Sequence, residues 1–310
     1  MDQSIWVAIL AAGVIAGTPI LLAALGEIIT EQSGVLNLGV EGMMLVGAVT
    51  GFMVAMNTSS PWIGLLAAIV AGGLMALIHA FLTITLRANQ VVSGLALTIF
   101  GTGLSGYIGK DLIGQPLVST FKPAALPFLS EVPIIGPILF NHDLLVYISY
   151  LLAAGLWFFL FHTKKGLELR AVGENPSAAD VAGINVFMTR YVFVVLGGML
   201  AGMAGAYLSL AYAPSWLENM TAGRGWIAVA LVIFATWHPV KAFLGSFLFG
   251  TIDVLGFHIQ NFGIMIPSFF LKMLPYIITI IVLIVVTRET KTRRVATPEA
   301  LGIPYNREER

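Results

Sequence analysis

Apolar blocks of 14 to 25 residues recur along almost the whole chain, and no water-facing surface could accommodate them. A helix needs about 20 mostly apolar residues to cross the hydrocarbon core of a bilayer. Candidate spans fall at about 5–25, 42–57, 62–86, 91–109, 143–162, 189–212, 225–238, 241–257 and 268–287. The run at 225–238 is short for a crossing, and 42–57 is marginal unless it starts earlier. The expected fold class is all-α, a polytopic transmembrane helical bundle of about nine spans (8–10), with residues 1–310 forming one transmembrane domain. Charge supports this reading, because only 10% of residues are charged against roughly a quarter in soluble domains. Asp2 and the lack of Lys or Arg before Ile5 argue for a retained first span rather than a cleaved leader.

Basic residues orient the bundle, since loops on the cytoplasmic side carry an excess of them. With the C-terminus inside, the inner segments hold Arg87, Lys164, Lys165, Arg170, Arg190, Lys241, Arg288, Lys291, Arg293, Arg294, Arg307 and Arg310. The outer segments hold only Lys110, Lys122, Arg224 and Lys272. Nine spans then put the N-terminus outside. The longest outer loop, 110–142, carries Pro116, Pro123, Pro127, Pro133 and Pro137, which prevent a long helix. The tail at 288–310 is polar and is expected to be loosely ordered at its end. Glycine-rich stretches in both halves hint at an internal repeat.

Two interruptions carry most of the information. Gly26 to Gly42 reads G-E-I-I-T-E-Q-S-G-V-L-N-L-G-V-E-G, with Glu27, Glu31, Asn37 and Glu41 and no basic residue. A carboxylate at bilayer depth costs roughly 2.5–3.5 kcal/mol on insertion scales. Glu27 and Glu31 stand four apart and share a helical face. The segment reads either as a cytoplasmic turn or as a broken, re-entrant element lining the pathway or a subunit contact. His162 to Met188 holds most of the internal charge. Gly173 ends one short element, and Asn175 can cap a helix that Pro176 begins and that closes near Gly183. This stretch reads either as a solvated loop or as a small helix that fits a groove on a partner; the loop spans about 163–188.

Here the residues meet a resemblance. The order Gly-x-x-x-Arg-Ala-x-Gly-x-Asn-x-x-Ala-Ala-x-x-x-Gly-Ile at Gly166 to Ile184 resembles the coupling-helix loop of ATP-binding-cassette importer permeases for branched-chain amino acids, ribose-type sugars and nucleosides. S-G-V-L-N-L-G-V-E-G-M-M at Ser33 to Met44 is similar to the nucleoside-type branch. A-N-Q-V-V-S-G-L-A-L at Ala88 to Leu97 and G-R-G-W-I-A-V-A-L-V-I-F at Gly223 to Phe234 agree with the same family. Trp226 and Thr236 depart from it, standing where a Phe and a small or amide residue are expected.

The resemblance implies a permease subunit in the cytoplasmic (inner) membrane, with no chemistry of its own, forming the translocation pathway for a small polar solute, a nucleoside first and a ribose-type sugar next. It implies that Arg170, Gly173, Glu174, Asn175, Ala178, Ala179 and Gly183 couple the chain to a cytoplasmic ATPase. It further implies an identical or paralogous second permease subunit and an extracellular or periplasmic solute-binding protein. No cofactor is expected in this chain, because ATP and Mg would be bound by the partner ATPase.

Isolated polar residues in or beside the spans are His79, Asn89, Gln90, Ser93, Asp253, His258 and Asn261. Such groups suit sugar hydroxyls and base edges, and they also hold helices together. The candidate pathway residues are Asn37, Glu41, Asn89, Gln90 and Ser93. Arg224 reads as an interfacial anchor or a partner for Glu218. A stand-alone ion-coupled transporter is the competing class, with Glu27, Glu31, Glu41 or Asp253 as ion sites. A membrane-embedded enzyme would need a catalytic cluster, and none has a local signature. No phosphate loop occurs, since Gly109-Lys110 is followed by Asp111. The five histidines show no metal-ligand spacing. Cysteine is absent and the net charge is zero, so neither a thiolate site nor a nucleic-acid surface is expected.

Overall fold

The computed structural model describes residues 3–261 and 297–307, with isolated positions between them. Eleven helices appear among the described residues. They are α1 (Gln3–Glu31), α2 (Val40–Thr58), α3 (Pro61–Ala80), α4 (Gln90–Gly109), α5 (Ile135–Leu139), α6 (Leu144–His162), α7 (Lys164–Glu174), α8 (Pro176–Val181), α9 (Val186–Tyr207), α10 (Arg224–Phe234) and α11 (Pro239–Asn261). Among the described residues seven segments are long and apolar enough to cross a membrane: Ile5–Glu31, Val40–Thr58, Pro61–Thr85, Gln90–Leu112, Leu144–His162, Val186–Tyr212 and Pro239–Gly256. The chain is thus a multi-pass helical membrane protein. Helix α10 is apolar but only 11 residues long. The ninth candidate, 268–287, lies outside the described residues, as do 288–296 and 308–310 of the tail.

Helices α1, α2, α3 and α9 form the heart of the bundle, and small residues make their close contacts possible. Without a hydrophobic drive between helices in lipid, association relies on close backbone packing. A Cβ on Gly202 of α9 would run into the carbonyl of Ala68 and the Cα of Gly72 on α3. Gly47 of α2 meets Gly202 from the other side. Helix α11 lies antiparallel along α1, with Gly13 against Thr251 and Gly17 against Ser246.

Helix α1 runs six residues past the expected end of the first span, to Glu31. Two carboxylates inside a membrane helix read as a boundary because their insertion is costly. The structure meets that cost by burying them with donors: the amide of Asn37 gives to Glu27 Oε1 at 3.1 Å, and the Trp237 indole gives to Glu31 Oε2. The outer loop contains no long helix, and instead pairs a short antiparallel strand β1 (Pro123–Ala125) with β2 (Asn141–Asp143) beside α5.

Helices α3 and α9 each end in a π-helical turn, at Phe81–Thr85 and Leu208–Tyr212. Between α10 and α11 the chain reverses through Thr236 and Trp237, both with left-handed φ, near 50°. For a β-branched residue such as Thr236 this backbone is strained.

Candidate functional site

The first candidate region is the break between α1 and α2. Gly34, at φ 85°, turns the chain out of α1, and residues 35–37 are irregular before α2 starts. Leu38 packs on Gly94 and Gly42 on Gly101 of α4. Gly101 stands eleven residues into α4, so the first turn of α2 lies up to about 16 Å along that helix. The irregular segment therefore lies inside the bundle, where each backbone polar group needs an internal partner.

Neighbouring side chains supply those partners. Leu36 N donates to Gln90 Oε1 at 2.7 Å. The Leu36 carbonyl lies 3.1 Å from His79 Nε2, and His79 Nδ1 lies 2.9 Å from Ser93 Oγ. Thr98 donates to the Leu38 carbonyl, and Asn37 Oδ1 accepts Gly39 N. The broken, re-entrant reading of this segment is the one the geometry favours over a simple surface turn.

This placement also sorts the candidate pathway residues. Asn37, Gln90 and Ser93 are buried and face the broken segment. Gln90 Nε2 has no partner among the described residues. Asn89 is exposed and caps α4, accepting from Val92 N.

Glu41 holds a second break in place. Its Oε1 accepts the Thr221 hydroxyl at 2.6 Å and Gly223 N at 2.8 Å, and its Oε2 accepts Gly225 N at 2.6 Å. These are the donors at the N-terminus of α10, where a helix leaves amides unpaired and its dipole favours negative charge. Helix α10 is about 16 Å long, half a membrane thickness. It starts deep in the bundle at Glu41 and ends where Trp237 reaches Glu31. Arg224 extends this junction. Its Nη2 donates to Asp253 Oδ2 at 3.1 Å, and its guanidinium lies over the Tyr212 ring. The expected pairing of Arg224 with Glu218 is replaced by this one, because the helical turn at 221–225 aims the side chain at α11.

The second region is the polar loop between α6 and α9. Asn175 ends α7 and caps α8, its Oδ1 accepting Ala178 N at 2.9 Å, with Pro176 in the first turn. Gly183 closes the unit at φ 86°. Helix α7 continues through Gly173 to Glu174, because Gly173 is needed for close approach rather than for termination: a Cβ there would strike the carbonyl of Gln32. Arg170 lies over the Phe161 ring, 5.1 Å from its centroid. Glu174, Asn175, Ala178 and Gly183 are exposed, and Ala179 is buried. Val181 is exposed beside them.

Residues 297–307 pack beneath this loop. Ala300 N donates to the Gly173 carbonyl, Arg190 donates to the carbonyls of Ser33 and Ile303, and Tyr305 is buried with Val172, Ala179 and Val186. The expectation of a loosely ordered tail end thus gives way to a docked segment at 297–307. Sequence reasoning missed Tyr305, Trp237 and Thr221. Each is an isolated polar or aromatic residue whose partner lies more than 100 residues away or in another element. The side chains of His258 and Asn261 lie outside the described residues.

Among the described residues no group of three metal-ligating side chains converges. The polar groups of both regions hold backbone segments and helix ends.

Comparison with known proteins agrees with this architecture. The chain is 42% identical, over 97% of its length and 98% of the relative's, to the putative glucose ABC transporter permease protein TsgC13 of Haloferax volcanii. It is 36% identical to the guanosine ABC transporter permease protein NupQ of Bacillus subtilis, covering 96% of each chain. It is 35% identical to the nucleoside ABC transporter permease protein NupC of Lactococcus lactis, covering 93% of each. No solved structure matches the chain significantly. A helical bundle with a half-length helix, a polar inter-span loop and a family match across residues 9–287 leads to one conclusion: the chain belongs to the family of branched-chain amino acid transport system permease components.

Proposed function

We propose that this chain lines the import pathway for a nucleoside, as one of two permease subunits, and that its α7–α8 loop is where a cytoplasmic ATPase grips it. As an ABC permease it is not itself an enzyme; transporters of this kind draw on a separate ATPase and a solute-binding protein. In this reading the paired ATPases, which hold ATP and Mg, bias the two permeases between outward-open and inward-open arrangements. Arg170, Gly173, Glu174, Asn175, Ala178, Ala179 and Gly183 carry the coupling.

The observation that carries the proposal is the α7–Asn175–α8 unit. It presents Ala178 and Val181 outward while Gly173 ties it to the break between α1 and α2. A push on α8 therefore reaches the broken segment through one close backbone contact. Counting α10 with its preceding loop as one crossing and the apolar sequence run at 268–287 as another, the chain makes nine, with the N-terminus outside and the C-terminus in the cytoplasm of a cell whose inner membrane it spans. The dipole-bearing end of α10, deep in the bundle, matches the discontinuous helices that transporters place at solute sites.

A simple sugar is the second reading, favoured by the 42% identity to a putative glucose ABC transporter permease. Uptake of radiolabelled guanosine and glucose into vesicles containing the complete transporter tests both. Guanosine uptake that requires ATP and stops when the ATPase is omitted is the expected result. Uptake that persists without the ATPase and collapses with an uncoupler would overturn the proposal.

A further inference from the structure

The ion pair between Arg224 and Asp253 has no structural demand placed on it by the Glu41 cap, and its setting is unusual. Asp253 lies within the candidate span Pro239–Gly256, and Arg224 opens the half-length α10. The two side chains nevertheless keep 13% and 32% of their surface exposed. Charged groups inside spanning helices face a bundle interior or a water-filled cavity rather than lipid, because lipid exposure is costly. The exposed edge of this pair therefore faces water or a neighbouring subunit. Arg224 is held rigidly: Nη1 donates to the carbonyls of Met220 and Thr221, Nη2 to Asp253 Oδ2, and the Tyr212 ring covers one guanidinium face at 5.4 Å. Among the described residues no donor reaches Asp253 Oδ1, which leaves one oriented carboxylate oxygen partly exposed.

We propose that Asp253, positioned by Arg224, is a solute-contact site that accepts hydrogen bonds from vicinal hydroxyls. The inference rests on the permease reading above and names the chemistry that one point of its pathway recognises. A carboxylate accepts only, so it suits a diol, whose two O–H groups both donate. Ribose in a nucleoside and a free monosaccharide share this diol, so the solute carrying it is decided by the experiment.

The test uses the complete transporter in vesicles, with one binding protein throughout so that its own preference cancels. Uptake KM is measured for guanosine against 2′-deoxyguanosine and for glucose against 2-deoxyglucose. In the wild type the hydroxylated solute is preferred, and Asp253→Asn lowers that preference about ten-fold, or about 1.4 kcal/mol. Asp253→Glu, which displaces the carboxylate by one methylene, lowers it in the same direction should the Asn variant fail to accumulate. The charge exchange Arg224→Asp with Asp253→Arg does not restore the preference. Loss of uptake that is equal for both solutes of a pair, and restored by the charge exchange, makes the pair purely structural and overturns the site. An unchanged preference overturns it as well. Retained ATP-dependent uptake in either case leaves the permease reading standing, whereas a wild type that takes up none of the four solutes removes both.

Discussion

The carboxylate of Glu41 accepts the backbone amide of Gly225 at 2.6 Å, so the first turn of α2 closes the N-terminus of α10. Two broken elements, distant in sequence, are thereby joined at one buried point. A Cβ on Gly225 would meet the Glu41 backbone, so the contact also depends on the absence of a side chain there.

Removing this cap should destabilise the bundle and disturb transport. Glu41→Ala leaves two amides and the Thr221 hydroxyl without their acceptor. A lost cap costs about 0.5–2 kcal/mol and each buried orphan about 1–3, so a total of about 3 kcal/mol is expected. Glu41→Gln keeps one acceptor oxygen and should cost about 1 kcal/mol while slowing uptake more than it lowers the amount of folded protein. Thermal melting of the purified chain, read beside uptake, checks the order; identical melting of all three proteins would show that the cap bears no load.

Ala178 is the cleaner probe of the proposed docking loop. It is exposed, so Ala178→Arg should leave the stability within about 0.5 kcal/mol of wild type. The same variant should abolish co-purification with the ATPase. Bulky substitutions of Gly173 should fail differently, lowering stability too, because its Cα faces the Gln32 carbonyl and Gly34. An Ala178→Arg chain that still binds the ATPase and transports normally would exclude the α8 face from the interface.

Gly202 tests the packing at the centre. Gly202→Val places two methyl groups against the backbone of Ala68 and Gly72 and should cost about 3 kcal/mol. The expected readout is a sharp fall in detergent-stable protein, matched by Gly47→Val on the facing helix. Wild-type yield from both would mean that α2, α3 and α9 do not approach this closely.

Acid should loosen the outer loop through His142. Burial holds its imidazole below the usual histidine range, with the Ile138 carbonyl and Asp143 opposing that shift. Its Nε2 donates to Ile138 O at 2.7 Å, and its Nδ1 has no partner. The folded state therefore binds a proton less readily than the unfolded one, so the contribution is full above a pH of about 6.5 and is lost as pH falls below it. Burial pushes the neighbouring Asp143 up, which acts in the opposite sense near its own, lower range. Hydrogen-exchange protection at 124–125 and 141–143, taken relative to the intrinsic exchange rate at each pH, should fall between pH 6.5 and 5.5, and His142→Gln should remove that fall. Protection that stays constant across this window would assign the imidazole no such part.

The spans and the α7–α8 unit were legible because their signals are local. Long apolar runs, Asn175 before Pro176 and glycine at 183 each specify structure within a few residues. The first span was read too short for an equally physical reason: Glu27 and Glu31 look prohibitive at bilayer depth until Asn37 and Trp237 are brought to them. Gln90 and Ser93 stand out in the sequence as polar pathway candidates; their partners, Leu36 N for Gln90 and His79 for Ser93, come from folding.

Hydrophobic length and the motif order were enough to establish a multi-pass bundle and its family, because partitioning and short-range capping depend on nearest neighbours along the chain. Which carboxylate meets which helix end was settled by folding. Glu41 and Gly225 are 184 positions apart, and Arg224 could as well have paired with Glu218 on local grounds. Those choices depend on how closely glycine-lined helices can approach, a property of the packed assembly that no stretch of sequence contains.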